Sequence, residues 1–305
     1  MKFSIVDVFT DRVFGGNPAG VVMIPDGKDF PDDETMRLTA AELRYSETAF
    51  VQDKGNGEYK LRYFTPAAEV DLCGHATVGS FYVLMKNGKI KPGDKVTAET
   101  LAGTIGIKPE QDGILMDMAS PKTFGKIEDK DKIDELYGVM GIKSDGQGVV
   151  EKGTLFGTEK DTALYLVPEM VSTGLTDIMM PVKDEQALND IAPDFPALTE
   201  LSRKYDVVGV HAFTINSADG MIHARNFAPL YDIDEEAATG TSNGALTFYL
   251  YERGLVKPGV VNTVVQGEKM KRRSLIDTEL TEEEGGVKVK VGGKASILSE
   301  GEIYL

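Results

Sequence analysis

Tryptophan is absent from this 305-residue chain, and cysteine occurs once, at Cys73. A single thiol cannot close an internal disulfide, which fits a reducing compartment. Histidine is nearly as sparse. His75, His211 and His223 are scattered, with no cysteine cluster and no HExxH pattern, so no local zinc motif is present. Positive charge is scarce too: 33 Lys and Arg face 49 Asp and Glu, a formal net charge of −16. The general surface therefore repels nucleic acid and anionic membranes. No uncharged apolar run is long enough to span a bilayer, and Asp7 interrupts the opening apolar stretch before it reaches signal-peptide length. The glycine-rich opening around Gly15, Gly16, Asn17 and Gly20 lacks the GxxxxGK[ST] phosphate loop. These absences predict a cytoplasmic protein with no nucleic-acid or membrane partner, no nucleotide, no flavin, no metal and no other cofactor.

Hydrophobic residues make up 41% of the chain, enough for a well-buried core, and the length suggests two domains. An acidic protein that takes an anionic metabolite must attract it locally, and backbone amides at helix starts do this.

The chain repeats itself. Arg62-Tyr-Phe-Thr-Pro66 recurs as Arg225-Asn-Phe-Ala-Pro229, an offset of 225 − 62 = 163. At the same offset Ala49-Phe50 meets Ala212-Phe213, and Gly57 meets Gly220, without a gap. After a three-residue insertion, Cys73-Gly74 falls opposite Thr239-Gly240, and each glycine leads into an apolar helical pattern. The repeating unit reads as hairpin, turn and buried helix. Tyr59 to Phe64 and Met221 to Phe227 have strand composition, with hairpin turns predicted at Asn56-Gly57 and Asp219-Gly220. Lys122 to Lys143 is charged and reads as a connection between the halves. Asn189 to Tyr205 reads as a surface helix with Asp194 or Thr199 near its start, and Val287 to Val291 alternates as a strand. Two copies place two equivalent helix N-termini about a pseudo-two-fold axis. Face to face, these would form a cleft lined by backbone N–H groups, suited to a carboxylate.

Three segments carry candidate chemistry. Glu47 interrupts a strand-like run, Ser46 to Val51, and at the 163 offset its counterpart is Val210. An apolar slot would raise its pKa toward that of a carbon-acid base; the alternative is an exposed strand glutamate. In Cys73-Gly74-His75, the glycine lets a ligand approach the backbone. His75 in the first helical turn is expected to stay neutral and to hydrogen-bond substrate, against a plain core histidine. Cys73 is a base or nucleophile in one reading and an inert buried thiol in the other. Asp232, Asp234, Glu235 and Glu236 precede the second helix start, as capping acids or with one of them facing a substrate.

Phe14-Gly-Gly-Asn17-Pro18, Ser46-Glu47-Thr-Ala-Phe50, Arg62 to Pro66, Cys73-Gly74-His75-Ala-Thr77 and Thr239-Gly240 resemble, in order and spacing, the PhzF-like family of phenazine biosynthesis proteins. Gln266-Gly267, Met270 and Ser274 resemble its C-terminal motif. The resemblance covers nearly the whole chain. It implies an α+β fold of the diaminopimelate epimerase-like type, with two pseudo-symmetric lobes, each a curved mixed sheet around a central helix. The expected lobes are residues 1–120 plus about 288–305, and 121–287, with the active site between them. The resemblance also implies a homodimer acting on a small anionic metabolite. The family's proton-shuttling glutamate falls on Glu47, its histidine on His75, and its backbone donors on Gly74 and Gly240 with Thr241 following. Its second acid falls on Glu236, one methylene longer than the usual aspartate. Lys271-Arg-Arg-Ser274 stands in place of Gly-Arg-Pro-Ser. Asn17, Cys73 and Thr239 are further candidates. The expected activity is a cofactor-independent isomerase that shifts a proton between carbons of a carboxylate. The alternatives are a one-thiol or two-base epimerase, racemase or dehydratase of the same fold, and a non-catalytic metabolite-binding protein. The two-thiol version lacks its second thiol, because Thr239 stands opposite Cys73.

Overall fold

In a computed structural model, residues 1–150, 153–155, 158–160 and 164–305 are described. The chain divides into two compact units: Met1–Asp117 with Gly292–Leu305, and Met118–Val291.

The first unit starts with β1 (Lys2–Val8), β2 (Asn17–Met23) and helix α1 (Asp33–Leu43). The hairpin β3 (Thr48–Gly55) and β4 (Glu58–Phe64) follows, then the short β5 (Glu69–Val70). Helix α2 (Gly74–Lys86) comes next, and β6 (Val96–Thr100), β7 (Gly103–Pro109) and β8 (Ile114–Asp117) end the segment. Asn56 (φ 55) and Gly57 (φ 81) make the two-residue turn that an Asn-Gly pair favours. Helix α2 is the buried one, with Ala76, Val78, Phe81 and Leu84 essentially solvent-free. A Cβ at Gly79 would lie 3.0 Å from Val8 Cγ2, so the glycine brings the helix close to β1. Tyr59 packs edge-on against Phe81 at 5.4 Å. A separate cluster of Val22, Ile24, Met36, Ala40, Phe50 and Phe64 includes the buried face of α1.

The second unit opens with β9 (Lys122–Lys126) and α3 (Lys130–Val139). Both lie in the segment read as a connection, but β9 pairs with a later strand and α3 buries Ile133, Leu136 and Tyr137 in a core. The segment is charged because only one face of α3 is buried. The small strands β10 (Val149–Val150), β11 (Gly153–Leu155), β12 (Thr158–Lys160) and β13 (Leu164–Tyr165) form two separate pairs. Then come β14 (Glu169–Ser172), β15 (Thr176–Pro181), α4 (Glu185–Asp190) and α5 (Phe195–Tyr205). The single helix expected over Asn189 to Tyr205 is instead the end of α4 and a new helix. Pro193 disfavours helical geometry at the residue before it, and Asp194 caps α5 by accepting from Ala197 N. The unit continues through β16 (Gly209–Thr214), β17 (Ile222–Ala228), β18 (Ile233–Glu236), α6 (Gly240–Tyr251), β19 (Val261–Gln266), β20 (Ser274–Glu283) and β21 (Gly286–Gly293). The turn at Asp219-Gly220 is not the tight hairpin expected: a seven-residue loop, residues 215–221, separates β16 from β17, and only Gly220 has a positive φ. The last strand, β22 (Ala295–Glu302), returns to pair with β1.

Each unit repeats the same pairing scheme. β2 runs parallel to β3 as β15 does to β16, and β3 is antiparallel to β4 as β16 is to β17. β4 lies parallel to β6 as β17 does to β19. Pairing register also corrects the equivalences along β3, the match of Ala49-Phe50 to Ala212-Phe213 included. Thr48 faces Phe64, whereas Val210 faces Phe227. Phe64 and Phe227 are the matched aromatics of the repeat, so Val210 corresponds to Thr48, and Glu47 corresponds to Gly209. A Cβ at Gly209 would sit 1.8 Å from the Phe227 carbonyl oxygen, so this position is no apolar side-chain slot.

Candidate functional site

Glu47 is the last residue before β3, and its carbonyl accepts from Gly20 N at 3.2 Å. Its side chain is 23% exposed, and Oε2 lies 3.4 Å from His75 Nε2. His75 is the second residue of α2 and is buried. Its other nitrogen, Nδ1, lies 3.4 Å from Cys73 Sγ. Burial pushes the His75 pKa down, outweighing the pull of the Glu47 carboxylate and a hydrogen bond to the Pro18 backbone. His75 is therefore a neutral ring beside a carboxylate, and burial rather than the helix end is the main reason. Asn17, the residue before Pro18, is buried at the start of β2. Gly74 opens α2, and a Cβ there would meet only Met116 Sδ, at 3.9 Å.

The polar atoms of Glu47, Cys73 and His75 all lie within 4.8 Å of one another. This is the one group of such donors among the described residues that could hold a metal ion. Sequence spacing did not show it, because Glu47 lies far upstream of the other two.

In the second unit, the helix start is built from Glu236, Thr239, Gly240 and Thr241. The Thr239 hydroxyl donates to Glu236 Oε2 at 2.9 Å. Gln266 fixes this turn: its Oε1 accepts from Thr239 N at 3.2 Å, and its Nε2 donates to the Glu236 carbonyl at 2.8 Å. Of the preceding acids, Glu235 takes a structural part. Arg225 Nε and Nη2 donate to its two oxygens at 2.8 and 2.9 Å, as Arg62 donates to Glu69 at 2.6 and 2.6 Å in the first unit. Asp232 and Asp234 are exposed. By the pairings Phe64–Glu69 and Tyr63–Val70 on one side and Asn226–Glu236 on the other, Glu235 matches Glu69 and Glu236 matches Val70. Near each central helix start stands an acid that its repeat lacks: Glu47, where the repeat has Gly209, and Glu236, where the repeat has Val70.

The helix caps differ in kind. Helices α1, α3, α4 and α5 begin with Asp32, Asp129, Asp184 and Asp194, each accepting from the backbone of the first turn. Cys73 and Thr239 stand at the N-caps of α2 and α6, and neither side chain makes a capping bond. The first turns of the two central helices therefore keep N–H donors that no cap side chain takes.

A family profile described as phenazine biosynthesis-like protein, PhzC-PhzF, matches residues 6–301. The chain belongs to the phenazine biosynthesis-like family. Among curated relatives, an uncharacterized isomerase of Clostridium acetobutylicum is 32% identical, over 98% of this chain and 97% of that one. The uncharacterized isomerase YfhB of Bacillus subtilis is 31% identical, over 95% and 94%. Among solved structures, a PhzF-family protein of Bacillus anthracis aligns with a TM-score of 0.82 at 24% identity, covering 100% of this chain and 99% of that one. A hydroxyproline epimerase of Agrobacterium vitis aligns at 0.60 with 14% identity, covering 99% and 90%. This PhzF-like chain is an α+β protein with the diaminopimelate epimerase-like fold. Both of these curated relatives are named as uncharacterized isomerases. Among the described residues, no helix is long and apolar enough to cross a membrane.

Proposed function

We propose that this PhzF-like protein is an isomerase that moves a proton between carbons of a small carboxylate substrate without a cofactor, with Glu47 as the base. The observation that carries the reading is the Glu47 carboxylate set 3.4 Å from a buried, neutral His75 at the uncapped start of α2. A carboxylate takes the proton from a carbon next to an electron-withdrawing group, leaving an enolate-like anion and a protonated Glu47. Return of that proton to another carbon gives the isomer and restores the carboxylate, so nothing is consumed. The neutral His75 has one N–H to give and one lone pair to accept with, which suits it to orient a polar substituent. Backbone N–H groups at Gly74, Gly240 and Thr241 supply donors for a carboxylate and for developing negative charge. Glu236, held by Thr239, is proposed as a second polar contact to substrate. The phenazine precursor is not assumed, because Glu236 and the stretch from Lys271 to Arg273 depart from the usual motifs.

The test uses amino-, hydroxy- and unsaturated carboxylic acids incubated in deuterated buffer and followed by proton NMR. Wild type is expected to incorporate deuterium into at least one of them. Glu47→Gln, with folding verified, is expected to lose this by about 10²-fold or more. Unchanged exchange in that variant removes Glu47 from the mechanism.

A second reading is favoured by one contact, Cys73 Sγ to His75 Nδ1 at 3.4 Å. With His75 drawing on the thiol, Cys73 would act as the proton carrier of a one-thiol epimerase or dehydratase. Cys73→Ala separates the two. The carboxylate mechanism keeps activity within about tenfold in that variant, and the thiol mechanism loses it by about 10²-fold or more.

A further inference from the structure

His211 and Asp177 are buried ionisable groups with no part in the chemistry above. Both belong to an unbroken chain of side-chain hydrogen bonds inside the second unit, and its donor directions can be assigned. Asn226 Nδ2 donates to His211 Nδ1 at 3.2 Å and to Ser242 Oγ at 3.1 Å, and Ser242 donates in turn to Asp177. Because Nδ1 accepts, the His211 proton sits on Nε2, which faces Asn243 Oδ1 at 3.2 Å. Asn243 Nδ2 donates to Gln266 Oε1 at 2.8 Å and to the Thr239 carbonyl at 2.9 Å. Gln266 Nε2 donates to Thr239 Oγ1 at 3.1 Å, and that hydroxyl donates to Glu236 Oε2. From Asn226 outward, each member can give a proton to the next, and the last acceptor is the Glu236 carboxylate. Reversing Asn243 or Gln266 would set like groups against the Thr239 backbone carbonyl or amide, and reversing Asn226 would set its oxygen against the His211 Nδ1 lone pair.

The first unit lacks this arrangement. There, Tyr63 fills the place of Asn226, its hydroxyl bonding Thr77 at 2.6 Å, and Thr77 donates to the Cys73 carbonyl at 2.7 Å. Ala49 stands where His211 does, and the chain stops at the helix cap. The extended chain therefore occurs only in the unit whose repeat position holds Glu236 rather than Val70.

We infer that His211 is a positioning residue for Glu236: as the neutral Nε2–H tautomer it orients Asn243 and Gln266, which deliver the Thr239 hydroxyl to the Glu236 carboxylate. A ring with protons on both nitrogens would break the bond from Asn226. A ring protonated on Nδ1 alone would turn the Asn243 amide round and detach Gln266. The consequence for catalysis rests on the proposed role of Glu236, but the coupling between His211 and Glu236 does not.

The experiment needs no substrate. In wild type, long-range proton–nitrogen NMR is expected to show His211 protonated on Nε2; protonation on Nδ1 overturns the inference. The Glu236 titration is then followed in protein labelled with [¹³Cδ]glutamate, its signal assigned by its loss in Glu236→Gln. His211→Leu and Asn243→Ala cut the chain at two places, so one remains informative if the other does not fold. Each is expected to raise the Glu236 midpoint by about half a pH unit, because the carboxylate loses an ordered donor. His211→Gln, which keeps a donor near the Nε2 position, is expected to restore it. A role in packing alone would lower stability and leave the midpoint in place, and an unchanged midpoint in a folded chain-cutting variant overturns the inference.

Discussion

A neutral histidine beside a carboxylate is a hydrogen-bonding pair rather than an ion pair. That distinction governs what Glu47 and His75 can do. Burial holds His75 below its usual pKa, so lowering the pH toward the acid range adds a proton against a desolvation cost. Replacing His75 with Asn keeps a donor and an acceptor in the first turn of α2. It is expected to cost activity by about 10- to 100-fold in the deuterium-exchange assay with folding retained. Unchanged exchange in that variant would remove His75 from the site. The match of Glu47 to Gly209, and of Glu236 to Val70, shows how the two copies have diverged at single positions. Sequence comparison found Glu47 as an odd acid in an otherwise strand-like run, but it matched Glu47 to Val210. The shift breaks the match of Ala49-Phe50 to Ala212-Phe213 but leaves that of Arg62 to Pro66 with Arg225 to Pro229 intact, so only the register of β16 against β17 reveals it.

Among the elements, the buried chain around the start of α6 makes the strongest demands on pH. Burial lowers the His211 pKa to about 4 and raises that of Asp177 to about 6. A depressed histidine contributes stability that is present above its unfolded value near 6.5 and is lost as pH falls through 4. A raised aspartate contributes stability that is present below 3.8 and is lost as pH rises through 6. Each is worth about 3 kcal/mol across its window, with opposite sign, so wild type is expected to show a flat profile from pH 4 to 6 as far as these groups decide it. Urea unfolding of Asp177→Asn should then show stability rising with pH across that window, and His211→Gln should show it falling. Parallel profiles in all three proteins would contradict the assignment. The close packing of α6 has its own test. A Cβ at Gly244 would meet Thr173 Oγ1 at 2.8 Å and Val291 Cγ2 at 3.1 Å, so Gly244→Ala is expected to destabilise by about 1–3 kcal/mol in the same measurement. The chain itself was not legible beforehand. His211, Asn226, Asn243 and Gln266 come from four separate elements, and each alone reads as an ordinary polar residue in an apolar run.

For the molecule as a whole, the duplication and the family were legible because they rest on many short matches held in order along the chain. The topology answers to that reading, since the pairings of β2, β3, β4 and β6 recur in β15, β16, β17 and β19. The departures arise where a charged segment holds structured elements, as in β9 and α3, and where a proline divides one apparent helix into two. The proposed chemistry requires Glu47 to be the group that meets the reacting carbon. The most direct test is a crystal structure of Glu47→Gln soaked with a carboxylate that wild type exchanges in deuterated water. The exchanging carbon is predicted within about 3.5 Å of the residue 47 side chain, the separation a proton transfer requires. A ligand bound with that carbon far from residue 47, and close instead to Cys73 or to no ionisable group, would contradict the account.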